Sequence, residues 1–112
     1  MDKPLQERLL EKLEKVLESG ILSQGIDNSD FSLLYSNSMN SIFKILEKLR
    51  SALSFDSQSL SELETKVDAL LSFELSILES NPEFMQHFLE EFIVLCHNCY
   101  VKITAKPRGN LI

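Results

Sequence analysis

A chain of 112 residues, 44% hydrophobic and with a formal charge of −6, has the size and apolar content of one domain with a single modest core. The acidic balance works against following a phosphate backbone, which disfavours nucleic acid as a partner. With only three glycines and three prolines in a sequence rich in Leu, Glu, Lys and Ser, helices are favoured over turn-dense β structure.

In chain order, Pro4 stands near a first helical turn, after which Leu5, Leu9, Leu10, Leu13, Val16 and Leu17 form one face. The opposite face carries Glu7, Arg8, Glu11, Lys12, Glu14, Lys15 and Glu18 and reads as solvated, with Glu11 and Lys15 in the favourable i,i+4 order. Gly20 is the expected stop. Residues 20–30 hold two glycines with Asp27, Asn28, Ser29 and Asp30, so a turn is expected, pinned to the core by Ile21 and Ile26.

From Phe31 a second stripe runs through Leu34, Tyr35, Met39, Ile42, Ile45, Leu46, Leu49 and Leu53, with Ser38 in its middle. Ser36 to Ser41 form helix poorly, but the angular phase survives them, and one continuous helix is expected rather than a break near Asn37. Residues 54–59 make a polar connection, and Ser59-Leu60-Ser61-Glu62 fits a capping box. A third helix then runs to about Ser80, burying Leu60, Leu63, Val67, Leu70, Leu71, Leu75 and Leu78, with Ile77 at one margin and Glu74 near the centre of the stripe.

Asn81-Pro82-Glu83 is the clearest helix start, with an N-cap, a proline at the first helical position and a carboxylate suited to the helix dipole. Phe84, Met85, Phe88, Leu89, Phe92, Leu95, Cys96, Cys99, Tyr100 and Ile103 share one stripe, and Ile93 borders it. Val94 and Val101 project from the other side, among Gln86, His87, Glu90, Glu91, His97 and Asn98. Glu90 and Glu91 interrupt the apolar run too early for a membrane span. Pro107 and Gly109 are expected to stop this helix, leaving Leu111 and Ile112 as an apolar tip.

Candidate chemistry is sparse. Cys96-His97-Asn98-Cys99 has C-x-x-C spacing, but both thiols fall in the buried stripe while His97 points away and no second ligand pair exists, so core thiols are expected and no metal site. Glu74 in a core stripe needs a partner such as Arg50, a lysine, His87 or Tyr35. No second inward carboxylate completes an acid-base pair, so no catalytic residue and no cofactor is assigned. Charge is uneven: residues 61–100 hold Glu62, Glu64, Asp68, Glu74, Glu79, Glu83, Glu90 and Glu91 against Lys66, while Lys102, Lys106 and Arg108 follow.

The fold class expected is all-α, an antiparallel bundle of about four helices or, alternatively, two stacked helical hairpins, over residues 1–106 with a tail at 107–112. The charged start, Asp2, Lys3, Glu7 and Arg8, lacks a signal peptide's apolar run, and the two cysteines make no disulfide framework, so an intracellular location is expected. Leu33, Phe43, Phe73, Val94 and Val101 are large apolar residues outside the stripes and are the expected partner-binding residues. They point to a non-enzymatic interaction module that binds a protein or a second copy of itself. The alternative is a helical carrier of a lipid or other hydrophobic molecule, held in a Phe-lined cavity between the second and fourth helices.

Overall fold

The computed structural model describes residues 3–74, 76 and 80–106, which contain five helices and one pair of short strands. Helix α1, Leu5–Ser19, starts behind Pro4, whose carbonyl accepts from the Arg8 N–H at 3.0 Å. Its Leu9, Leu13 and Val16 are fully buried, as their three- and four-residue spacing dictates. It ends at Gly20, where φ is 78°, a left-handed conformation that a residue without Cβ enters at little cost.

The expected turn at 20–30 is replaced by a second helix, α2, Ile21–Asn28. Gly20 alone redirects the chain, so helix can resume at once and bury Ile21 and Leu22. Gly25 is not a turn residue here. A Cβ at Gly25 would lie 2.1 Å from Cδ1 of Tyr35, so its bare backbone is what lets α2 sit on the ring. Ile26 is half-buried, and the true turn comes at Ser29, whose hydroxyl accepts from the Phe31 N–H at 3.0 Å.

Helix α3, Ser32–Arg50, passes unbroken through residues 36–41. Ser38, buried mid-stripe, donates to the Leu34 carbonyl at 2.9 Å, so its hydroxyl is satisfied inside its own helix. Leu53 does not extend the stripe: it is 67% exposed in β1, Ala52–Ser54. That strand pairs antiparallel with β2, Thr104–Ala105, setting Ala52 opposite Ala105 and Ser54 opposite Thr104 with a register shift between. The Lys106 N–H extends the pairing to the Ser51 carbonyl at 2.9 Å. Strands this short are an addition to the all-helical expectation, since they hold too few residues for alternation to register.

Helix α4, Ser57–Leu71, is capped by Asp56, not by the Ser59 to Glu62 box. The Asp56 carboxylate accepts from the Ser59 N–H at 3.1 Å and from the Ser59 hydroxyl at 2.5 Å, and as an ionised acceptor it outcompetes a serine hydroxyl for the role. The helix also stops short of Ser80. Ser72 turns its hydroxyl onto the Ala69 carbonyl at 2.6 Å, and Phe73 leaves to pack edge-on against Phe84 and Phe88, with ring centroids 5.5 and 4.9 Å away. Glu74 is therefore exposed and non-helical, not part of a core stripe, while Leu75, Ile77 and Leu78 lie outside the described residues.

Helix α5, Pro82–Val101, begins with proline at the first helical position as the sequence predicts, although Asn81 donates its side-chain amide to the Ser80 hydroxyl instead of capping. Met85, Phe88, Leu89, Phe92, Cys96 and Cys99 are buried, whereas Phe84 and Tyr100, expected among them, are 50% and 37% exposed. The helix ends at Val101, before the expected stop, and Ile103, buried in the core, lies between the helix end and β2 with its N–H on the Tyr100 carbonyl at 3.3 Å. Residues 107–112, including Leu111 and Ile112, lie outside the described residues.

Helix α3 packs on α5, α5 on α4, α4 on α1 and α1 on α3, closing a ring around one core, with α2 against α1 and α3. The polar face of α1 is not simply solvated. Glu64 on α4 takes Arg8 Nε at 2.9 Å and Lys12 Nζ at 3.0 Å, Lys12 also reaches Asp68 at 2.9 Å, and Glu11 pairs with Lys3. Among the described residues no helix is long and apolar enough to cross a membrane.

Candidate functional site

The five apolar residues singled out from the sequence do not share one place. Phe73 is half-buried against Phe84 and Phe88, so its expected exposure is corrected: it closes the end of the core where α4 stops. Phe43, 51% exposed, borders a depression with Leu17, Leu46 and the charged Glu14, Glu18 and Arg50, on the side of α3 that meets α1. Leu33, 73% exposed, stands at the start of α3. The structure brings together only Val94 and Val101, on a groove that α3 and α5 form between them.

This groove has a volume of about 680 Å³ and is lined by Ser41 and Lys44 of α3 and by Ile93, Val94, Cys96, His97, Tyr100 and Val101 of α5. Val94 and Val101 are each 57% exposed, which leaves two β-branched apolar side chains in water on the outer face of one helix. They stand seven residues, or about two turns, apart and so align along the helix. The carrier reading placed a Phe-lined cavity between these same helices. A groove is there, but it is open to solvent and its aromatic residue is Tyr100.

One wall is fastened from α3. Lys48 donates its ammonium to the Tyr100 carbonyl at 2.8 Å and lies 4.2 Å from the centroid of the Tyr100 ring, holding the end of α5 by a charge-assisted hydrogen bond and a cation–π contact at once. Beyond it Lys44, Lys48 and Lys106 line an adjoining depression together with Glu47. The opposite end of the outer face is acidic, with Glu83, Glu90 and Glu91 exposed; Glu91 is tied to Lys66 at 3.1 Å. The sequence signal for this site was the pair of misplaced valines. Ser41, Lys44 and Tyr100 escaped it, because which helices lie side by side is a property of the tertiary fold.

The remaining chemical candidates lie away from the exposed face of this groove. Cys96 and Cys99 are core thiols, 2% and 1% exposed, and the Cys99 thiol donates to the Ser59 carbonyl at 3.1 Å. Burial pushes the Cys99 pKa up to about 11 and that of Cys96 higher still, which favours the neutral thiol at both positions. Burial likewise raises the Tyr35 phenol to about 12. Among the described residues no three His, Cys, Asp or Glu side chains gather into a metal-holding group. Compared with protein-family models, curated proteins and solved structures, the chain matches none.

Proposed function

We propose that the chain is a non-enzymatic protein-interaction module, a small subunit or adaptor of a larger assembly, that offers the α3/α5 groove and the outer face of α5 to a helix. The observation that carries this reading is the exposure of Val94 and Val101 on one line beside an apolar groove. An amphipathic helix laid in such a groove covers anchors at two-turn spacing, and the exposed Glu83 and Glu90 at one end of the face help to set its direction. A carrier of a hydrophobic small molecule has to enclose most of its cargo. The openness of the groove favours a helix over that alternative.

The test is affinity capture with the purified chain, comparing it with a Val94→Glu, Val101→Glu double variant and with Leu53→Glu as an exposed-apolar control. The double variant is expected to lose the bound partner while keeping its helical circular dichroism and its unfolding midpoint, since both positions are on the surface. A folded double variant that binds as the parent does refutes the groove as the docking face.

A further inference from the structure

We infer that residues 107–112 of this chain dock back along the α3/α5 groove and cover Val94 and Val101 with Leu111 and Ile112, so that a partner helix has to displace them. This rests on the docking reading above and gives that face its regulation. The heading of the chain carries the inference. Beyond α5 the backbone turns back: Thr104 stands opposite Ser54, Ala105 opposite Ala52, and the Lys106 N–H meets the Ser51 carbonyl, each residue a step nearer α3 than the last. Lys106 then lines the depression that holds Lys48, Glu47 and Lys44 of α3 with Tyr100 of α5. Lys44 and Tyr100 also line the groove, so at residue 107 the chain is aimed along the seam between the two helices.

Length and composition suit that path. Pro107 biases the residue before it, Lys106, toward extended backbone, which continues the line of β2. Going back along α5 from Tyr100 to Val94 covers about 9 Å, and back along α3 from Lys48 to Ser41 about 10 Å. The extended chain from Lys106 to Leu111 reaches about 17 Å, enough to set Leu111 and Ile112 over the valines. Those two are the large apolar residues of the segment, and Val94 and Val101 are exposed apolar residues of the groove, so the contact takes both pairs out of water. Charge does not drive it, because Arg108 passes Lys44 and Lys48 as well as Glu47.

Methyl NMR of the full chain with labelled Val, Leu and Ile tests this. Cross-peaks between the methyls of Leu111 or Ile112 and those of Val94 or Val101 are expected, in low and high salt alike. A Leu111→Ser, Ile112→Ser variant is expected to move the Val94 and Val101 signals while leaving that of Leu33, exposed at the start of α3, in place. The signals of buried Leu9 and Leu13 report that the fold is intact. Absence of the cross-peaks overturns the inference, and so do valine signals that the variant leaves unmoved. The serine variant is also expected to strengthen partner capture about twofold or more, since apparent affinity follows the fraction of chains whose groove is open. Unchanged capture refutes displacement. If the cross-peaks are absent while capture still falls with Val94→Glu and Val101→Glu, only the docking of 107–112 fails. If the cross-peaks are present and capture is indifferent to both valines, the groove serves this segment alone and the docking reading fails.

Discussion

Replacing Gly25 with alanine sets two effects of opposite sign against each other, and the structure decides between them. Gly25 lies inside α2 and has no positive φ, so on helix propensity alone alanine stabilises by about 1 kcal/mol. The new Cβ, however, meets Tyr35 at 2.1 Å from Cδ1 and at 2.3 Å from both Cγ and Cε1, well under the 3.0 Å that real Cβ atoms keep. Tyr35 is 2% exposed and packed within the core cluster. Overpacking a filled core costs about 1–3 kcal/mol, and three ring atoms in overlap put this case at the top of that range. The net effect is a loss of about 2 kcal/mol, a fall in Tm of roughly 8 °C for a domain of this size.

Thermal and urea unfolding measure the change, and a double-mutant cycle assigns its cause. In a Tyr35→Ala background the obstruction is gone, so Gly25→Ala is expected to stabilise by about 1 kcal/mol, reversing its sign. A gain in stability in the parent chain, or the same loss in both backgrounds, refutes the contact between Gly25 and the ring.

Three further outcomes are expected. The Arg8 hydrogen bond first, and then that of Lys12, hold the Glu64 carboxyl below its ordinary value of 4.5, so its contribution is present above about that pH and is lost as pH falls through the lower folded value. Glu64→Gln therefore destabilises by about 1 kcal/mol at neutral pH, after discounting for the partly exposed Arg8, and the gap to the parent closes in acid; urea titrations at several pH values check it. Asp56→Ala removes the acceptor for both Ser59 groups and lowers Tm, whereas Asp56→Asn keeps a capping oxygen and retains most of the stability. Cys96 and Cys99 react with a thiol reagent at mildly alkaline pH only as fast as the fold opens, so denaturant well below the midpoint accelerates labelling; fast labelling in buffer refutes their burial.

Long amphipathic segments were legible because their periodicity repeats over several turns. Leu9, Leu13 and Val16, the stripe from Tyr35 to Leu49 apart from the half-buried Met39, and Met85 to Cys99 apart from the half-buried Leu95 are buried where phase alone placed them. Errors fell where one residue type serves two purposes. Glycine marks turns on average, yet Gly20 ends one helix and Gly25 admits an aromatic ring within the next. Leu71 and Leu75 continue the α4 stripe in sequence, but the Ser72 hydroxyl and the packing of Phe73 end that helix, and neither influence is periodic. For the groove, Val94 and Val101 stood out as apolar residues on a polar face. The contribution of α3 and the lysines at one end stayed hidden because they depend on how two helices lie together.

The smallest element has the widest reach. The strands β1 and β2 join the chain just past the end of α3 to the chain just past the end of α5, the two helices whose separation sets the width of the groove, yet neither strand contributes a residue to its lining. Backbone pairing at Ala52 and Ala105 therefore ties the chain past the end of α3 to the chain past the end of α5. Without it, only the side-chain packing of α3 on α5 would hold the two helix ends beside one another.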